Sequence, residues 1–88
     1  MPRYIIERAV PALSREELAE AARRSIAVLQ DMPGVRWIRS YVSDVEGKIY
    51  CEYDAPSAEA IREHARRAGL PVDRIAPVAL EISPAMFT

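Results

Sequence analysis

Apolar and polar positions repeat with two different periods along this chain, and each change of period marks an element. Arg3–Arg8 (RYIIER) is short and rich in β-favouring residues, which predicts a first strand, broken by Pro11. From Arg15 to about Gln30 the spacing lengthens. Leu18, Ala21, Ala22, Ser25, Ile26 and Leu29 fall on one helical stripe, with Arg15, Glu16, Glu20, Arg23 and Arg24 mostly outside it. The start of that helix is doubly signalled. Ser14 and Glu17 stand at capping-box spacing, and Leu13 and Leu18 occupy the positions of a hydrophobic staple. Asp31-Met32-Pro33-Gly34 ends it.

Alternation returns in Val35–Ser43 and Ile49–Ala55, joined by Asp44-Val45-Glu46-Gly47, where Gly47 is free to take the positive φ that closes such a turn. Pro56 and Ser57 halt the strand and begin a second helix, Ala58–Ala68, with Ile61, His64, Ala65 and Ala68 on one face. Gly69, Leu70 and Pro71 end it. A last strand is expected over about Arg74–Ile82, before Ser83-Pro84. The order βαββαβ predicts a single α+β domain over residues 1–88. Its architecture is expected to be ferredoxin-like: a four-stranded antiparallel sheet with two helices on one face.

Strand parity then divides the side chains between two faces. Ile38, Val42, Ile49, Cys51, Tyr53, Val78, Leu80 and Ile82 form the more apolar set, expected under the helices. The other set holds Trp37, Arg39, Tyr41, Tyr50, Glu52, Asp54, Ile75, Ala79 and Glu81, joined by Ile5 and Glu7. That second face reads either as an exposed surface with scattered aromatics or as one covered by a second copy, a homodimeric α+β barrel enclosing a cavity. A chain of 88 residues buries only about 60–65% of its unfolded surface, and Trp37, Tyr41 and Tyr50 make a large apolar patch, so the covered arrangement is preferred.

Composition narrows the function classes. Half the residues are hydrophobic and 28% are charged, as in folded rather than disordered chains. A net charge of −1 supplies no global basic excess to drive nucleic-acid binding. One cysteine excludes an internal disulfide and a cysteine-rich zinc site. No apolar run approaches membrane-spanning length, and MPRYIIERAV lacks the apolar core of an export signal, so no membrane partner and a cytoplasmic location are expected.

The candidate chemistry lies in few residues. Glu7, Glu52 and Glu81 are expected side by side across three strands, with Arg39 on a fourth. Buried carboxylates in a row require a cation, a proton or Arg39, so the row reads as an oxygen-rich metal site, an acid/base site or a set of interface ion pairs. His64, the single histidine, is either a packed imidazole bonded to backbone or a ligand suited to nickel, zinc or copper. No second histidine stands at a ligand spacing from it. Its partners would be carboxylates, Cys51, water or another subunit. Cys51 falls mid-strand on the apolar parity, where packing is its simplest role. No phosphate-binding loop and no nucleophile–base triad can be read.

The run WIRSYVSDVEGKIYCEYDAPSAEAIREHARRAGLPVDRI, with the opening YIIER, resembles a small bacterial family named for nickel binding. The resemblance rests on Ser40–Val42 (SYV), Tyr50–Pro56 (YCEYDAP) and Arg62–Pro71 (REHARRAGLP) in combination. It implies a ferredoxin-like domain paired into a dimeric barrel and a nickel-binding role, and it implies no enzymatic activity. His64 matches the family's helix motif, and Cys51 and Tyr53 its strand motif. The reading that follows is a cytoplasmic homodimer that buffers, senses or delivers nickel or another divalent transition metal. Its candidate metal ligands are His64, Glu52, Glu7 and Cys51. The alternative is a small-molecule-binding protein or enzyme using the cavity of the barrel.

Overall fold

Six of the seven elements in the computed structural model, which describes residues 1–88, follow the expected βαββαβ order. They are β1 (Arg3–Ala9), α1 (Arg15–Gln30), β2 (Arg36–Ser43), β3 (Lys48–Asp54), α2 (Ala58–Ala68) and β4 (Arg74–Pro77); a short 3₁₀ turn, Pro84–Phe87, follows. The strands pair antiparallel in the order β2-β3-β1-β4, with the sequential hairpin β2–β3 on one side and β1 inserted between β3 and β4. This is the ferredoxin-like α+β arrangement.

Local chemistry sets the helix ends. The Ser14 side chain accepts from Glu17 N, and the Glu17 carboxylate accepts from Ser14 N at 2.9 Å, closing the predicted capping box on α1. Ser57 caps α2 through Ala60 N, and Gly69 ends it in the left-handed region at φ 68°, a conformation that costs a residue with a Cβ. Gly47 takes φ 64° in the hairpin turn, as expected.

The core lies between the sheet and α2. Ile6, Tyr53, Ile61 and His64 are its largest fully buried side chains, with Tyr4, Val35, Cys51 and Ala55 around them. Each large aliphatic side chain buried there contributes about 1.5–3 kcal/mol.

Three expectations are corrected. First, β2 carries a bulge: Trp37 pairs with Tyr53 and Arg39 with Glu52, so Ile38 is the additional residue. The extra residue inverts parity upstream of it, placing Trp37 rather than Ile38 on the helix face, where Trp37 packs against the core. Second, β4 ends at Pro77, beyond which a single ladder bond, Val78 N–H to Arg3 O at 2.8 Å, still reaches β1. Ile75 pairs opposite Ile6 and joins the core, so it is not on the open face, while Leu80 and Ile82 lie beyond the strand and are exposed. Third, Ile26 is 48% exposed, whereas Ser25 beside it is buried.

Candidate functional site

The sheet face away from the helices is built from charge pairs. Arg3 is its hub: Nε reaches Asp54 Oδ1 at 3.0 Å, and Nη1 lies 2.9 Å from Glu81 Oε2 and 3.8 Å from Glu52 Oε2. The hydrogen bond from Arg3 holds the Asp54 carboxyl below the usual carboxylate range. Glu52 also accepts from Tyr41 Oη at 3.2 Å and has Arg39 at 3.8 Å. Glu7 sits between Lys48 at 3.2 Å and Arg74 at 3.9 Å.

Glu7, Glu52 and Glu81 therefore do not form a row. Glu52 stands opposite Ile5 and Glu7 opposite Tyr50, one pleat apart, and Glu81 reaches the face from beyond β4. Each is matched to at least one basic side chain.

His64 and Cys51 lie on the other side of the sheet. His64 is completely buried in α2, with Nε2 3.1 Å from Ser25 Oγ of α1, and its ring tilts against Tyr53 at 5.4 Å between centroids. Burial lowers its pKa; the hydrogen bond to Ser25 backbone opposes that, and the charge of Arg8 adds to it. A neutral ring is the form that can ligate, but Arg8 nearby opposes a metal cation there. Cys51 receives a hydrogen bond from Ser40 Oγ at 3.0 Å, and Ser40 in turn accepts from Trp37 Nε1 at 2.9 Å.

The four sequence-predicted ligands are thus split across the sheet, Glu7 and Glu52 on one face, His64 and Cys51 on the other. No group of three or more His, Cys, Asp and Glu side chains is placed to hold a metal ion within the chain. The donors of one subunit do not by themselves fit a nickel centre.

The helix side holds a feature that sequence reasoning missed. Between α1 and the strands runs a cleft of about 600 Å³, walled by Leu18 and Ala22 of α1 and by Trp37, Val42 and Ile49 of the sheet. Its polar end is formed by Arg8, Ser25 and Tyr53. Arg8 shares the inward parity of Tyr4 and Ile6 on β1, which marks it as a buried cation; its alternation was the available signal.

The SCO4226-like model, described as nickel responsive protein SCO4226-like, matches residues 4–78. The chain belongs to this family. A solved member-like structure, that of SCO4226 from Streptomyces coelicolor A3(2), aligns with a TM-score of 0.81 at 28% identity. The match covers 91% of this chain and 99% of that one. No curated protein sequence matches the chain. Membership in the SCO4226-like family and the shared fold agree with the resemblance carried by the three motifs. No helix is long and apolar enough to cross a membrane.

Proposed function

We propose that this chain is a nickel-responsive, metal-binding protein of the cytoplasm that works as a homodimer and buffers, senses or delivers the ion. The observation that carries the reading is membership in the nickel-responsive family over residues 4–78. The open sheet face supports the dimer. Tyr41 is 54% exposed there, and apolar residues of the C-terminal segment, Leu80, Ile82 and Phe87, are also left in solvent.

A second copy laid on this face would bring a second Glu7 and Glu52 toward the first pair. The donors that one chain lacks would then come from its partner. Carboxylate ligands accept many divalent ions, so cobalt and zinc are expected to compete with nickel. His64 and Cys51 belong to the core side in this reading and serve as the contrasting positions in its test.

Calorimetry on untagged protein, alongside light scattering, tests the proposal. Nickel should bind the wild-type dimer, and combining Glu7→Gln with Glu52→Gln should weaken binding at least about tenfold, or about 1.4 kcal/mol. His64→Gln should leave it within about twofold, a difference of about 0.4 kcal/mol. Tyr41→Arg should favour the monomer and lose nickel with it. A folded monomer that binds nickel as tightly as the wild type, or a double carboxamide variant with unchanged affinity, overturns the shared site.

A further inference from the structure

Arg8 is only 3% exposed, and no carboxylate lies within ion-pair distance of it. Its Nη1 donates to Pro71 O at 2.7 Å, and its guanidinium carbon stands 5.8 Å from the Tyr53 ring centre. Nη2 is buried and has no acceptor. A buried cation without a counter-charge is costly, and an unpartnered donor adds to that cost. Most other arginines of the chain are exposed, or, like Arg3, paired with carboxylates. Arg8 is the exception, and it lines the cleft under α1.

The rest of that cleft is mostly apolar, and the other cation on its lining, Arg15, is exposed to solvent. Leu18, Ala22, Val42 and Ile49 offer hydrocarbon, while Tyr53 and Ser25 place two neutral hydroxyls near the guanidinium. Burial pushes the Tyr53 phenol up, against the influence of Ser25 and Arg8, so it remains a protonated donor at neutral pH. A volume of about 600 Å³ lies within the range of small-molecule sites.

We propose that the cleft between α1 and the sheet binds a small amphipathic monocarboxylate, its carboxylate on Arg8 and its apolar body along Leu18, Ala22, Val42 and Ile49. One carboxylate supplies the single negative charge that Arg8 lacks. Arg8 is the one buried cation of the cleft, since Arg15 is solvated, so a dianion would bury a second charge without a desolvated partner, and an organic cation would meet Arg8 directly. The hydrogen bond to Pro71 and the Tyr53 ring hold the guanidinium in place before a ligand arrives, which lowers the ordering cost of binding. Glu7 and Glu52, assigned above to nickel, lie on the opposite face, so either site can fail without the other.

Trp37, the single tryptophan, lines the cleft and reports on its contents. Decanoate titrated into the untagged full chain is expected to change Trp37 emission saturably, with one ligand per chain. Decan-1-ol should bind at least about tenfold more weakly, the difference a charge-assisted hydrogen bond makes in a desolvated site. Decylammonium should not compete. Ala22→Phe should fill the cleft and remove the response while thermal unfolding stays cooperative. Arg8→Met, which keeps an apolar stem, should bind decanoate no better than decan-1-ol. If Arg8→Met does not fold, the three ligands on the wild type decide. The proposal is overturned if decanoate gives no saturable response, if decan-1-ol binds as tightly, if a folded Ala22→Phe still responds, or if decanoate acts only by dissociating a dimer seated in the cleft.

Discussion

The two helices cover the same face of the sheet on different terms. In eleven residues α2 buries Ile61, His64, Ala65 and Ala68, whereas α1, with sixteen, buries only Ser25. The side of α2 that meets the sheet carries a branched aliphatic and an aromatic ring. Toward the cleft, α1 offers Leu18 and Arg15 near its start and otherwise only methyl groups and a hydroxyl, from Ala19, Ala21, Ala22 and Ser25. It leans on α2 instead, through Ser25 against His64 and through Arg24 Nε donating to Ala68 O at 3.0 Å. An amphipathic period turns a helix toward the core, but side-chain size decides whether the space beneath it is filled.

Truncation offers the hardest test of that contrast. Ile61→Ala should cost about 3 kcal/mol by denaturant unfolding, in the range for a fully buried isoleucine. Leu18→Ala on α1 should cost less than half as much, because it borders open space. Equal costs would mean that α1 is as firmly seated as α2.

Acid sharpens the contrast next. Burial keeps the His64 pKa below the ordinary value of about 6.5, so in the window between the two the unfolded chain binds more protons. Stability should therefore be full above about pH 6.5 and fall as pH drops, with a slope of at most about 1.4 kcal/mol per pH unit, levelling once the folded-state value is passed. Glu63, drawn down to about 2 by Arg66 and Arg67, and Asp54, lowered by Arg3, add losses only in the carboxylate range near about pH 4. Urea midpoints between pH 5 and 7 should show the slope in the wild type and its absence in His64→Gln. A slope that survives in that variant places the acid sensitivity elsewhere.

The smallest effect belongs to the α1 cap. Ser14→Ala should cost about 1 kcal/mol and raise amide exchange in the first turns of α1 more than in α2. Uniform exchange in both helices would show that α1 opens only with the whole domain.

Much of this architecture is legible in the sequence because it depends on short-range rules. Ser14 with Glu17, Ser57, Gly69 and the Asp44–Gly47 turn fix element ends through neighbouring backbone groups alone. Trp37 was misplaced because one extra residue at the bulge inverts parity, and side-chain alternation carries no record of an insertion until the partner strand is known. The end of β4 is not legible, because the apolar run continues to Ile82 while the strand stops at Pro77. The carboxylates were legible as residues of one face, but their spacing depends on register, which brings each of them a basic neighbour instead of one another. The cleft was hidden for a different reason. It is a space between elements, and only the buried parity of Arg8 pointed toward it.

Both lateral edges of the sheet are poor templates for another strand. On one side β2 is interrupted by its bulge; on the other β4 is four residues long and closes on Pro77, which has no N–H to offer. A long, flat edge with unpaired N–H and C=O groups is what recruits further strands into fibrils. This chain offers that edge nowhere, so crowding at high concentration should drive its copies together through sheet faces and exposed tail residues, in closed assemblies rather than growing ribbons.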